Sequence, residues 1–193
     1  MSEHEPMFRI PSASGAMLLL LIAIYALQII TGFDITDYSV QPHQFWEDPL
    51  SLHHLLTLIT YQFLHANLLH LGVNGLMLLA FGSAMARIVG SARFILLYLF
   101  CGIIAAVAHL FAYADQTSYL VGASGAVSGA MGFVLWGIIQ HPRKRLQLIL
   151  AILILQPVLA FASGTLFGGE IAWLAHVAGF AAGIGMALAF KFK

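Results

Sequence analysis

The chain has 193 residues, of which 61% are hydrophobic and only 8% charged, and its eight basic and eight acidic side chains balance to a formal net charge of zero. A soluble surface needs about a quarter or more of its positions charged, so this composition excludes a water-soluble globular domain and makes lipid the solvent.

In chain order, apolar stretches predict six helices, over Met17–Ile30, Leu68–Ile88, Phe94–Tyr113, Ser124–Ile139, Leu146–Phe161 and Ile171–Phe190. Each is near the span length of about 20 residues or somewhat under it. The expected fold is therefore all-α, a polytopic membrane protein whose six-transmembrane-helix bundle forms one domain over residues 1–193. A cytoplasmic tail (1–15) precedes the first span, and a membrane-associated outer loop (33–63) follows it. The first apolar run lacks a cleavage site of small residues and is read as a span, not as a removable signal. Cys101, the only cysteine, lies within the third span and reads as a buried structural thiol. In the fifth span, Pro157 follows Gln156 and removes a backbone hydrogen bond to the carbonyl of Leu153.

Basic residues set the orientation. Arg9, Arg87, Arg93, Arg143, Lys144, Arg145, Lys191 and Lys193 all fall on one side of such a bundle, which the positive-inside rule makes cytoplasmic. Asp34, Asp37, Glu47, Asp48, Asp115 and Glu170 fall in the loops of the other side. Both termini are expected in the cytoplasm.

Topology converts into depth. At about 1.5 Å per residue, Ser124 stands roughly 22 Å above the cytoplasmic end of its helix, His176 about 22 Å, Asn74 about 20 Å and His70 about 26 Å, within a hydrocarbon core of about 30 Å. Polar side chains at membrane depth are costly and face a bundle interior or cavity, so each is a functional candidate. Ser124 lies in GASGAVSGAMG, where glycines on a turn let a hydroxyl stand clear of its neighbours. A serine needs a base, an imidazole is the usual one, and the oxyanion formed on an attacked carbonyl needs donors; the four groups fit acyl transfer. Every Asp and Glu lies in a loop or tail, so no span supplies a carboxylate to orient the histidine, and a dyad is expected in place of a triad.

The same residues have other readings. Gly125 with Gly129, and Gly179 with Gly183, form GxxxG pairs that bring helices together. Ser128 is expected to bond back to a helix carbonyl or pack against a small residue. His65 is expected near the outer interface, His43, His53 and His54 in the outer loop, and His141 on the cytoplasmic side, all as solvated or interfacial side chains. A haem- or metal-binding bundle is a second functional class, because His70, His109 and His176 count to similar heights. That reading leaves Asn74 and the GASG turn without a role.

FLHANLLHLGVNGL in span two, GASG opening span four and AHVAGFAAG in span six resemble the HxxxN, GxSG and AHxxG patterns of the rhomboid intramembrane serine proteases. The resemblance covers the six-helix core. It implies Ser124 as nucleophile, His176 as general base, and His70, Asn74 and the Ser124 amide as the oxyanion hole. It also implies Gly122 and Gly125 as the glycines that shape the turn, with Gly179 completing the third motif. By the same resemblance the partners are transmembrane segments of substrate proteins in the lipid bilayer, with no nucleic acid, no metal and no cofactor. Three positions depart from the pattern: Leu56 and Thr57 replace a frequent Trp-Arg pair, and Ser128 replaces an aromatic that commonly supports the histidine. A non-catalytic rhomboid-like factor that binds membrane proteins without cutting them is a further alternative. Small size and the absence of a transit peptide point to a bacterial plasma membrane; oligomeric state stays open.

Overall fold

An unbroken apolar run from Ser12 to Thr31 forms helix α1, which stops where Gly32 adopts a left-handed φ of 63° and its N–H returns to the carbonyl of Gln28. The computed structural model describes residues 11–167 and 172–190, with the side chains of 159–167 left aside. The expectations placed on the first ten residues, on Glu170 and Ile171 and on Lys191 and Lys193 lie outside the described residues.

The outer segment is more structured than a loop. It contains a 3-10 turn over Ile35–Tyr38, helix α2 (Pro42–Glu47), helix α3 (Leu52–Thr60) and a second 3-10 turn over Tyr61–Phe63. Asp34 opens the first turn by accepting from the Thr36 amide and hydroxyl, and those bonds hold its carboxyl below the usual carboxylate range. Trp46 Nε1 donates to the carbonyl of Leu110 at 3.0 Å, tying α2 to the helix Ser91–Ala112. At the first departure from the family pattern, Leu56 is exposed, whereas Thr57 is buried and donates to the carbonyl of His54.

The expected second span is three pieces of one rod: α4 (Leu68–Met77), a π-helical segment (Leu78–Gly82) and α5 (Ser83–Val89). The π segment escapes hydropathy because it changes winding and not composition. Helix α6 runs from Ser91 to Ala112, α7 from Ser124 to Ile138, α8 from Pro142 to Phe167 with Pro157 inside it, and α9 from Trp173 to Ala189. No strand occurs among the described residues, only an isolated bridge between Val40 and Leu120. The all-α expectation holds.

By length and composition, three of the described helical stretches suffice to cross a membrane: Ser12–Thr31, Leu68–Val89 and Ser91–Ala112. Helices α7 and α9 are apolar but have 15 and 17 residues, and 15 residues rise only about 22 Å. Their shortness goes with position. Almost every residue of α7 is buried, packed between α6 and α9, while α1 turns Leu19, Leu20, Ile22, Leu27, Ile29 and Ile30 outward. Exposed apolar side chains on that scale fit a lipid solvent. Buried polar pairs stitch the outer helices to the centre: Ser14 Oγ meets Ser83 Oγ at 2.8 Å, joining α1 to α5.

Helices α7 and α9 touch through backbone. A Cβ placed on Gly179 would strike the carbonyl of Gly125, and one on Gly183 that of Gly129. Close approach of this kind is what small residues permit in membranes, where packing replaces the hydrophobic effect as the cohesive force. Gly183→Leu is therefore expected to destabilise the bundle by about 1–3 kcal/mol or more, the scale of overpacking against groups that cannot yield. Thermal unfolding in detergent checks this; an unchanged midpoint would contradict the contact.

Candidate active site

The turn before α7 is built around one glycine. Gly122 has φ 117°, a conformation that side-chain-bearing residues rarely adopt, and its N–H donates to the carbonyl of Tyr61 at 2.9 Å. Tyr61 is fixed in turn, its hydroxyl donating to the carbonyl of Gly102 at 2.7 Å. A Cβ on Gly122 would lie 2.6–2.7 Å from the His70 ring and 3.8 Å from Asn74 Nδ2. The polar groups of α4 thus sit over the turn that starts α7.

Ser124 is the first residue of α7. The first amides of a helix have no carbonyl one turn back, and the helix dipole is positive there, so this end suits negative charge. From the first turn of α9, His176 Nε2 reaches Ser124 Oγ at 2.7 Å. The ring's other nitrogen, Nδ1, lies 2.9 Å from Gln156 Oε1 on α8. Three helices meet at one imidazole.

His70 is held from its own N-terminal side. The side chain of Asn67 caps α4 by accepting from the His70 amide at 2.8 Å, and the Ala66 N–H donates to His70 Nδ1 at 3.4 Å. With Nδ1 used as an acceptor, the ring hydrogen of neutral His70 belongs on Nε2, the atom beside Gly122. Asn74 is buried, and its Nδ2 donates to the carbonyl of His70 at 3.0 Å. An amide nitrogen has two hydrogens, so one stays available to the site.

The structure therefore brings Ser124, His176, His70 and Asn74 together, around the turn at Gly122. Gly125 and Gly179 meet at the α7–α9 contact that sets the spacing between Ser124 and His176. His109 stands apart, its ring in tilted contact with Tyr113, the centroids 4.7 Å apart and the planes at 45°. Among the described residues no three His, Cys, Asp or Glu side chains converge as a metal site would require, so the grouping of His70, His109 and His176 expected by height alone is not formed. Cys101 is buried and unpaired, as expected. His43, His53 and His141 are exposed and His54 half-buried, also as expected.

His65 corrects its expectation. It is 1% exposed, not solvated, with its ring edge-on to His70 at 5.1 Å between centroids. The reason is Gln28 of α1, whose side chain clamps the His65 backbone from both sides, donating to its carbonyl at 3.0 Å and accepting from its amide at 3.3 Å. Burial first, and the His70 ring second, push the His65 imidazole down to about 4. Between that value and the ordinary histidine pKa of about 6.5, the unfolded chain binds the proton that the folded one refuses. His65 hence contributes stability that is present above about 6.5 and lost as pH falls toward 4. The unfolding midpoint in detergent should drop from pH 7.5 to pH 5, and His65→Phe should shrink that drop; an undiminished drop would assign the effect to other groups.

Two residues escaped the sequence reading. Gln28 carried no motif. Gln156 was visible only as the neighbour of a helix-kinking proline, although an amide at membrane depth is itself a signal.

The sequence model of the rhomboid domain matches residues 52–191, and the chain belongs to the rhomboid family of integral membrane proteins. It is similar to the rhomboid protease GluP of Bacillus subtilis (strain 168), with 37% identity over 92 residues, which cover 48% of this chain and 18% of that protein. The matched part is thus less than a fifth of the relative's length.

Proposed function

We propose that the chain is an intramembrane serine endopeptidase that hydrolyses peptide bonds in or near transmembrane segments of other membrane proteins, working through a Ser124–His176 dyad. The observation that carries the reading is the 2.7 Å contact between His176 Nε2 and Ser124 Oγ beneath a turn faced by His70 and Asn74. Family membership and the protease named among its relatives support it.

The chemistry follows from the donors and acceptors. Ser124 Oγ attacks the scissile carbonyl carbon as its proton passes to His176 Nε2. The carbonyl oxygen becomes an oxyanion, which accepts from His70 Nε2–H, the free Asn74 Nδ2–H and the Ser124 amide. His176 then gives its proton to the departing amine and the C–N bond breaks, leaving an acyl ester on Ser124. A water molecule loses a proton to His176 and attacks the ester; the acid product leaves, and Ser124 recovers its proton. No carboxylate takes part.

In this reading α1, α4 through α5, α6, α7, α8 and α9 are six spans, both termini face the cytoplasm, and the membrane is a bacterial plasma membrane. The site then lies toward the outer face, where Ser124 begins its helix. Purified protein in liposomes, incubated with a panel of single-span substrates, should yield cuts that mass spectrometry maps near their outer membrane boundary. A fluorophosphonate probe should label Ser124. Absence of both labelling and cleavage would leave the non-catalytic alternative standing.

A further inference from the structure

His176 has two ring nitrogens, and only one of them is spent on Ser124. For Ser124 to lose its proton to Nε2, that atom must be unprotonated in the resting enzyme, so the ring hydrogen must sit on Nδ1. An imidazole left to itself in an apolar site has no reason to hold that tautomer. A soluble triad solves the problem with a carboxylate, but a buried charge within a span costs several kcal/mol. This chain places no Asp or Glu in its spans.

It places Gln156 there instead, with Oε1 2.9 Å from His176 Nδ1. A carboxamide oxygen accepts a hydrogen bond without carrying charge, so it selects the Nδ1–H tautomer at a small desolvation cost. From these contacts we infer that Gln156 is the positioning residue of the dyad: a neutral stand-in for the triad carboxylate, fixing the tautomer and the rotation of His176 from a third helix. The inference rests on the proposed dyad. Ser128, the small residue one turn after Ser124, is itself buried within α7, and the imidazole takes its lateral support from α8.

The arrangement has a mechanical side. Among the described residues α8 packs chiefly against α9, the helix of His176. Gln156 precedes Pro157, whose ring leaves the carbonyl of Leu153 without its helical partner. The orienting bond thus forms only while this part of α8 is docked, and displacement of α8 frees the ring to turn or change tautomer.

The test uses full-length protein in liposomes with wild type, Gln156→Leu and Gln156→Glu. Gln156→Leu should lower kcat about 10- to 100-fold with KM within about two-fold, less than the about 10⁴-fold that follows loss of a charged orienter. Gln156→Glu keeps an acceptor oxygen at the same reach and should stay within about five-fold of wild type. ¹⁵N spectra of ring-labelled histidine, with the His176 signal assigned by subtraction of His176→Ala, should show Nδ1–H in wild type and its loss in Gln156→Leu. An Nε2–H resting tautomer in wild type overturns the assignment even if the variants do not fold. So does a Gln156→Leu enzyme with wild-type kcat, or one whose only change is in KM. The spectrum is read without substrate, so a wild type with Nδ1–H that cleaves nothing sinks the protease reading and leaves the positioning of His176 intact.

Discussion

Ser124→Ala is expected to abolish cleavage and leave a folded, membrane-inserted protein, and His176→Ala to do the same. The double variant should be no slower than either single one, because a nucleophile and its base would act as one unit and their losses would not add. The 2.7 Å separation is the reason to expect this: it sets the basic Nε2 of His176 within hydrogen-bond reach of the Ser124 proton. The hydroxyl of Ser128, buried one helical turn further on, is not placed to rescue the reaction. Cleavage of a single-span substrate in liposomes measures the outcome, with thermal unfolding as the check on folding. Substantial turnover by Ser124→Ala would end the dyad mechanism.

Asn74→Ala is expected to lower kcat by about 10²-fold or more with a smaller change in KM, on the scale of a lost oxyanion-hole donor. The structure adds a constraint to this expectation. One amide hydrogen of Asn74 already bonds the His70 carbonyl, so alanine also removes a within-helix bond. Such a bond contributes only about 0.5–1.5 kcal/mol, so the unfolding midpoint should fall modestly while the rate falls steeply. Asn74→Asp should lower kcat as steeply, since a carboxylate donates to neither the oxyanion nor the His70 carbonyl. Near wild-type kcat in Asn74→Ala would make the side chain structural and leave the oxyanion to His70 and backbone amides.

Height was legible in the sequence and azimuth was not. Counting along apolar runs put Ser124, His70, Asn74 and His176 near one level, because rise per residue is nearly constant in a helix. The motif spacings selected which of the polar groups meet, and the His70 and Asn74 side chains do sit over Gly122. His109 shows the limit of the same count: it shares the level, but its ring lies against Tyr113. The partners of Gln28 and Gln156 lie on other segments, at separations of 37 and 20 residues, and no local pattern encodes such pairings. The π segment and the short helices of the outer loop were invisible for another reason, since they alter hydrogen-bond register without altering composition.

The backbone contact of Gly179 and Gly183 with Gly125 and Gly129 divides the chain into two mutational economies. Dyad spacing depends on main-chain atoms at the centre, where any added carbon collides, so those four sites should accept almost no substitution. The outward residues of α1, such as Leu19, Ile29 and Ile30, touch no part of that contact. Their sequence can drift to match bilayers of different thickness or lipid composition, so homologous chains adapted to unlike membranes should differ widely on that surface while keeping one separation between serine and histidine.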